Sequence, residues 1–259
     1  MAEAYERVDR LRSDRGLIAA LERDAANAQL PPAFRAALRQ PMVSVIAEVK
    51  RRSPSKGSIN PSLSAAAQAA AYVRGGAAAV SVLTEPVHFG GSLDDLRQAR
   101  ATVAVPLLRK DFHVDELQLL EARAAGASAA LLIARALPPD TLRRLVASAL
   151  SMDLEPLVEV RSTIELERAV AAGARVIGVN NRDLETLDID PEVGDTIVRI
   201  IPAECIAIAE SGLRGVADVE RAASAGADAV LVGSSVSASA DPTAAVKGLT
   251  GVPRSGRGR

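Results

Sequence analysis

One short design recurs along this chain and limits what it can become. G-G-A-A-A-V-S-V-L (75–83), A-G-A-S-A-A-L-L-I (125–133), A-G-A-R-V-I-G-V (172–179) and A-G-A-D-A-V-L-V-G (225–233) each set a glycine before an apolar run. The copies lie about fifty residues apart. A helix that stops at glycine can turn through the left-handed region without Cβ strain. The apolar run then reads as a buried strand.

Between consecutive copies sits one further apolar run, at 105–110, 156–160 and 205–210, and V-S-V-I-A-E-V-K (43–50) precedes the series. Helical segments are expected near 62–74, 92–101, 115–125, 138–151, 162–172, 191–199, 214–225 and 242–249. Eight βα units predict an α/β protein of the (β/α)8 TIM-barrel class over residues 41–250. A doubly wound open sheet is the competing architecture. Residues 1–40 form an N-terminal helical extension: D-R-L-R-S-D-R-G-L-I-A-A-L-E-R-D reads as one amphipathic helix, and P-P-A-F-R-A-A-L begins another. The extension is expected to cap the barrel's N-terminal region or fold over one mouth. The Gly- and Arg-rich residues 251–259 are expected to be a disordered, solvated tail.

Aromatic residues make up only 2% of the chain and Trp is absent, so Ala, Val, Leu and Ile must build the core. A formal net charge of −1 argues against nucleic acid as the main partner and gives no attraction to anionic membranes. No apolar run approaches the ~18 residues a membrane span needs. The charged N-terminus lacks the apolar region of a secretory signal, so the cytoplasm is the expected compartment. The single cysteine, Cys205, reads as a small core residue. His88 and His113 are isolated on different loops, and no metal site is expected.

Several apolar runs end in ionisable or amide groups: Glu48 and Lys50, Lys110, Glu159, Asn180 and Glu210. Burying an unpaired charge is costly, so such residues have partners or line a cavity. Strand side chains alternate, which puts Glu48 and Lys50 on one face and Val49 on the other. In a barrel of this class the reacting groups sit at the C-terminal strand ends. Purely structural ion pairs are the plainer alternative, but packing alone does not explain so many at strand ends. S-G-L-R-G (211–215) and V-G-S-S-V (232–236) follow the last two strands, the usual phosphate position of this fold. R-R-S-P-S-K-G (51–57) adds Arg, Ser and Lys that could cover the same phosphate, or be a solvated loop. Phe89 and Phe112 fall in loops at the mouth, as a wall for an apolar part of a substrate or as loop packing.

The strings I-A-E-V-K-R-R-S-P-S-K-G, L-L-R-K-D-F, L-V-E-V, I-G-V-N-N-R-D-L, I-A-E-S-G and V-L-V-G-S-S closely resemble the indole-3-glycerol phosphate synthase family of tryptophan biosynthesis. The resemblance runs in order from about residue 43 to 236, through all eight strand ends. It implies a carboxy-lyase that closes the pyrrole ring of 1-(2-carboxyphenylamino)-1-deoxy-D-ribulose 5-phosphate, losing carbon dioxide and water, with no cofactor and no metal. It further implies that Lys110 is the general acid at the C2′ oxygen and Glu159 the proton-transfer partner in dehydration. Lys50, oriented by Glu48, lies near the anthranilate carboxylate and is a second candidate acid. Asn180 and Arg182 hold the carboxylate side, while Glu210 and Ser211 contact the ribulose hydroxyls. Ser53, Gly212, Gly233 and Ser234, with Arg52 nearby, hold the phosphate; Phe89, Phe112, Leu131 and Leu184 wall the aromatic ring. The implied partner is the small phosphorylated substrate. The chain is expected to be a monomer, with association to other tryptophan-pathway enzymes as a further expectation.

Two rivals stay open. Phosphoribosylanthranilate isomerase is another phosphate-binding barrel, but it uses a thiol, and Cys205 starts its strand at the end away from the chemistry. A catalytically dead barrel kept for binding is the rival of another class.

Overall fold

The computed structural model describes residues 1–257 apart from 56, 184 and 185. Strands one to eight are Ser44–Val49, Ala79–Leu83, Leu107–Lys110, Ala129–Ile133, Glu155–Val160, Val176–Asn180, Ile206–Glu210 and Ala229–Val232. They pair in parallel in sequence order, and strand eight closes onto strand one. This is the (β/α)8 barrel expected from the repeat. Helices Ala65–Arg74, Leu93–Thr102, Glu116–Ala124, Pro139–Ser151, Thr163–Ala171, Pro191–Ile200, Val216–Ala225 and Pro242–Lys247 fill the connections. Among the described residues no helix is long and apolar enough to cross a membrane.

The glycines of the repeat do what their spacing predicts. Gly76, Gly126, Gly173 and Gly226 hold φ between 81° and 98°, each just after a helix. The opposite helix ends carry a signal that the hydrophobic pattern hides. Ser64, Ser92, Asp115, Ser162, Asp190 and Asp241 accept backbone N–H groups of the first turn. Each such cap stabilises its helix by ~1 kcal/mol and explains why the first helix begins at Ala65 rather than at 62.

The N-terminal extension differs from expectation. Residues 9–24 do not form one helix. The chain breaks at Asp14, whose carboxylate caps the N–H of Leu17, leaving helices Ala2–Ser13 and Arg15–Asn27. The former is tied to the barrel by Arg7, which grips Asp111 with two bonds of 3.0 and 2.6 Å, and by Arg12 on Asp115. The short helix Phe34–Ala37 works at the other end. Phe34 and Leu38 pack with Ala79, Ala129, Val176 and Ile206 and plug the barrel interior near the strand starts.

Residues 251–257 also differ from the expected solvated tail. Val252 is buried, its carbonyl accepts the N–H of Val43 at 2.8 Å, and Pro253 bridges Met42. Asp228, 1% exposed, explains the docking. Its carboxylate accepts from Arg254, from Arg257 at 2.7 Å and from the N–H of Ala207 at 2.7 Å. A buried acid at the start of strand eight needs cations, and the tail supplies two.

Replacing Asp228 by Ala strands the nearly buried Arg257. Urea unfolding is expected to show a loss of about 3 kcal/mol or more. Turnover should be unchanged, because Asp228 lies at the end of the barrel away from the charged strand termini.

Candidate active site

Alternation along each strand decides what the barrel encloses. Ile46, Leu108, Leu131, Leu157, Ile208 and Leu231 form its apolar middle. Two residues further along their strands come Glu48, Lys110, Ile133, Glu159, Glu210 and Gly233. The same inward face that is hydrocarbon at mid-height is therefore charged at the C-terminal rim. These groups line a cavity of about 220 Å³ that opens at that rim.

Lys110 stands at the centre. Its Nζ lies 2.9 Å from Glu210, 3.8 Å from Glu48 and 3.8 Å from Glu159. Lys50 Nζ meets the other oxygen of Glu48 at 2.8 Å, and Ser81 donates to Glu48 at 3.4 Å. Asn180 Nδ2 donates to Glu159 at 3.1 Å, and the N–H of Arg182 donates to Asn180 Oδ1 at 2.9 Å. Asn180 is thereby fixed with its amide toward the carboxylate.

The charges set one another. Burial alone would lower the Lys110 ammonium, but Glu210, Glu48 and Glu159 outweigh it and hold it above the ordinary lysine range. Burial likewise opposes ionisation of Glu48, and Lys50 and Lys110 reverse this and hold its carboxyl below its usual range. Glu210 comes out the other way. Burial, with the neighbouring charges of Glu159 and Glu48, outweighs Lys110 and pushes it up to about 7. Three carboxylates share two ammonium groups, and the surplus charge falls on Glu210. Its Oε1 is buried with no hydrogen-bond partner among the described residues.

Two glycines make room for this cluster. A Cβ on Gly178 would lie 2.0 Å from Glu210 Oε1. One on Gly233 would lie 2.5 Å from Glu48 Oε1 and 2.8 Å from Lys50 Nζ. No side chain fits at either position without moving the ionised groups.

The cavity has two unlike sides. On one, the rings of Phe89 and Phe112 meet at 6.5 Å between centroids, inclined by 52°. Glu85, 1% exposed, places Phe89 by capping the short helix Pro86–Phe89 through the N–H groups of Val87, His88 and Phe89. Gln118 places Phe112 by donating to its carbonyl and accepting from the N–H of Val114. Leu83, Leu131 and Ile133 complete the wall. On the other side lie Gly212 and the turn Gly233–Ser234, with Ser53 and Ser235 beside them. Ser235 Oγ donates to the Leu213 carbonyl at 3.3 Å and joins the last two loops. Ser211 holds φ at 69°, which a non-glycine residue does at a cost of about 1–3 kcal/mol.

Of the residues expected from sequence, Glu48, Lys50, Ser53, Phe89, Lys110, Phe112, Leu131, Glu159, Asn180 and Arg182 all line this one cavity. Glu210, Ser211, Gly212, Gly233 and Ser234 do so too. Arg52 does not line it: it is exposed, pairs in a small ribbon with Ser58, and lays its stem against Gly90. Leu184 and Lys56 lie outside the described residues. His113 is buried, donates from Nδ1 to the Leu131 carbonyl, and is pushed down to about 3 by burial and by Arg109. Among the lining residues that sequence reasoning missed are Glu85, Leu83, Ile133, Ile189 and Ser235. Glu85 was findable, since Glu before Pro and three further residues is a helix-start pattern. Leu83 and Ile189 carry no signal that separates them from core.

A family profile described as indole-3-glycerol phosphate synthase matches residues 1–249. An indole-3-glycerol phosphate synthase of Mycobacterium ulcerans is 51% identical over 90% of this chain and 86% of its own length. Indole-3-glycerol phosphate synthase 1 of Streptomyces coelicolor is 52% identical over 83% of this chain and 80% of its own. Among solved structures, 3-hexulose-6-phosphate synthase from Salmonella typhimurium overlays with a TM-score of 0.63 at 13% identity, covering 80% of this chain and 96% of that one. Thiamine phosphate pyrophosphorylase from Pyrococcus furiosus gives 0.61 at 16%, covering 82% and 95%. These two speak for the barrel alone. The relatives of half-identical sequence speak for more, and with them the chain belongs to the indole-3-glycerol phosphate synthase family.

Proposed function

We propose that this chain closes the pyrrole ring of 1-(2-carboxyphenylamino)-1-deoxy-D-ribulose 5-phosphate to give indole-3-glycerol phosphate, carbon dioxide and water, with Lys110 as the central acid. The observation that carries the residue roles is the position of Lys110: one ammonium, held protonated by three buried carboxylates, between an aromatic wall and a glycine-lined rim.

The ligand's parts suit those two sides. The anthranilate ring lies against Phe89, Phe112 and Leu131. The phosphate lies toward Gly212, Gly233 and Ser234, where backbone approaches closely, with Ser53 beside them. The C2′ carbonyl then falls over Lys110. As the ring carbon bearing the carboxylate attacks C2′, electron density moves to the carbonyl oxygen, and Lys110 supplies its proton. Loss of carbon dioxide returns the bonding pair to the ring. The C2′ hydroxyl then leaves as water, which needs an acid at that oxygen and a base at C1′. Glu159 is the base, oriented by Asn180. Lys50, turned by Glu48, stands near the carboxylate and can serve as the acid of the second step. Glu210, which lines the cavity beside Lys110, contacts a ribulose hydroxyl, and Arg182 balances the substrate carboxylate.

The steady-state fluorescence of purified protein with this substrate, without added metal, is expected to report an indole product. Lys110→Ala is expected to lower turnover at least ~100-fold, the low end for losing a positioned acid, with a cooperative thermal transition retained at a lower midpoint because three buried carboxylates lose their cation. Full activity in that variant removes Lys110 from the mechanism.

Glu210 gives a pH prediction. Its folded value near 7 lies above the ordinary 4.5, so the folded chain keeps a proton that the unfolded chain releases. This contribution to stability is complete below pH 4.5 and is lost as pH rises to about 7. His113 acts with opposite sign between about 3 and 6.5, so the difference between wild type and Glu210→Gln isolates Glu210. Urea unfolding at pH 4.5, 6 and 7.5 should show the variant gaining on wild type at each step. A constant difference across those values would show that Glu210 titrates normally.

A further inference from the structure

Behind the ion cluster lies a buried polar network that the mechanism above does not use. Even-numbered residues of strand one turn their backbone groups toward strand eight, as the bond from Ser44 N–H to the Asp228 carbonyl shows. Odd-numbered ones turn toward strand two, as the Val45 carbonyl does in accepting from Ala78. The ladder to strand eight runs from Ser44↔Ala229 to Ala47↔Val232 and stops there, because the chain turns at Gly233 into the helix Ser234–Ser237. The Glu48 carbonyl and the Lys50 N–H therefore face a side from which their strand partner has departed. The former is buried and the latter half-buried, and both need partners.

Ser237 replaces the missing strand. Its Oγ donates to the Glu48 carbonyl at 2.7 Å and accepts from the Lys50 N–H at 3.2 Å. Tyr72, on the neighbouring helix, reaches the same carbonyl at 3.1 Å and Ser237 Oγ at 3.0 Å. Gln68 donates to the Tyr72 hydroxyl at 2.9 Å and to the Val236 carbonyl at 3.4 Å. Ser237 and Tyr72 are wholly buried. The same helix starts at Gly233 and Ser234 on the cavity rim, and Ser237 N–H closes its turn on the Gly233 carbonyl at 2.9 Å. One turn of helix thus joins the glycine rim to the backbone on both sides of Val49, from which Glu48 and Lys50 project.

We propose that Ser237 is a positioning residue: it couples the rim that receives the phosphate to the Glu48–Lys50 pair, with the Tyr72 hydroxyl as its support. This rests on the reading of Lys50 and the rim given under Proposed function. The coupling has a direction that binding can use. A phosphate drawing in the Gly233–Ser234 turn pulls through a rigid single turn on the strand segment that aims Lys50. Without the hydroxyl, the strand end keeps its ladder to strand two but is free to shift on the opposite side.

The test is a double-mutant cycle on kcat and KM. Ser237→Ala is expected to fold and to lower kcat about tenfold, the scale of a modest misplacement of a reacting group. Ser237→Thr, which keeps the hydroxyl, should recover most of that loss, and Tyr72→Phe should give a smaller loss in the same direction. In a Lys50→Met background Ser237→Ala should cost less than about twofold, since a residue acting through Lys50 has nothing left to place. Tyr72→Phe runs the same cycle should Ser237→Ala not fold. Equal fold-losses in both backgrounds, or unchanged kcat in both Ser237→Ala and Tyr72→Phe, would overturn the proposal. A fully active Lys50→Met enzyme would instead overturn the role given to Lys50.

Discussion

The shared ammonium of Lys110 is the interaction on which the rest of this molecule turns. Three buried carboxylates within 4 Å of one another's counter-ion are unfavourable in any fold that lacks that cation. Two lysines still leave one negative charge too many, and the protein meets this by letting Glu210 hold a proton near neutrality. A site that keeps one proton firmly on Lys110 and leaves another exchangeable on Glu210 near neutrality keeps an acid in place through both ring closure and dehydration. The electrostatic imbalance that weakens the fold at high pH is thus the same one that suits the chemistry.

The scaffold is shaped around that imbalance. Gly178 and Gly233 leave space where any side chain would touch Glu210, Glu48 or Lys50. Ser211 accepts a left-handed backbone directly after Glu210. Asp111, next to Lys110, is gripped by Arg7 from the N-terminal helix and by Arg109 from its own strand, with Thr84 donating at 2.7 Å. Those pairs fix the backbone of the strand end beside the cavity, which Asp111 also lines. Rigidity comes from the flanking structure, while the groups that react are left with unequal proton affinities.

Much of this was legible in the order of residues. The repeat carried the barrel, because glycine after a helix and a Val/Ile/Leu run after glycine have few other readings. Alternation carried the charged rim, because an acid two positions beyond Ile46 or Leu157 must face the same interior. What stayed hidden was of two kinds. Apolar wall residues such as Leu83 and Ile133 look like core, since the cavity is an interruption of the core and not a different composition. Polar surrogates for backbone were also invisible. Nothing in S-S-V-S says that its last hydroxyl stands in for a strand, or in the tail that Arg254 and Arg257 answer a buried Asp228. Those roles depend on where strands of unequal length end, which spacing does not report. Arg52 misled for the converse reason: neighbouring Arg51 turns inward to Asp95 with bonds of 2.6 and 2.7 Å, and alternation then sends Arg52 outward.

The two ends of the barrel divide the work between stability and reaction. At the strand starts, Phe34 and Leu38 seal the interior and Asp228 gathers the chain's last described residues. Asp228 is answered there by the protein itself, while Ser44 Oγ and Glu155 Oε1 are buried with no hydrogen-bond partner among the described residues. At the strand ends Glu210 Oε1 has no hydrogen-bond partner among the described residues, and Ser211 keeps a strained φ. The 3-hexulose-6-phosphate synthase and the thiamine phosphate pyrophosphorylase share the scaffold at 13–16% identity, so the closed sheet alone cannot select a reaction. Selection falls to the few inward positions one layer above the hydrocarbon. There the same 2-residue period that packs leucine against leucine sets an ammonium among carboxylates.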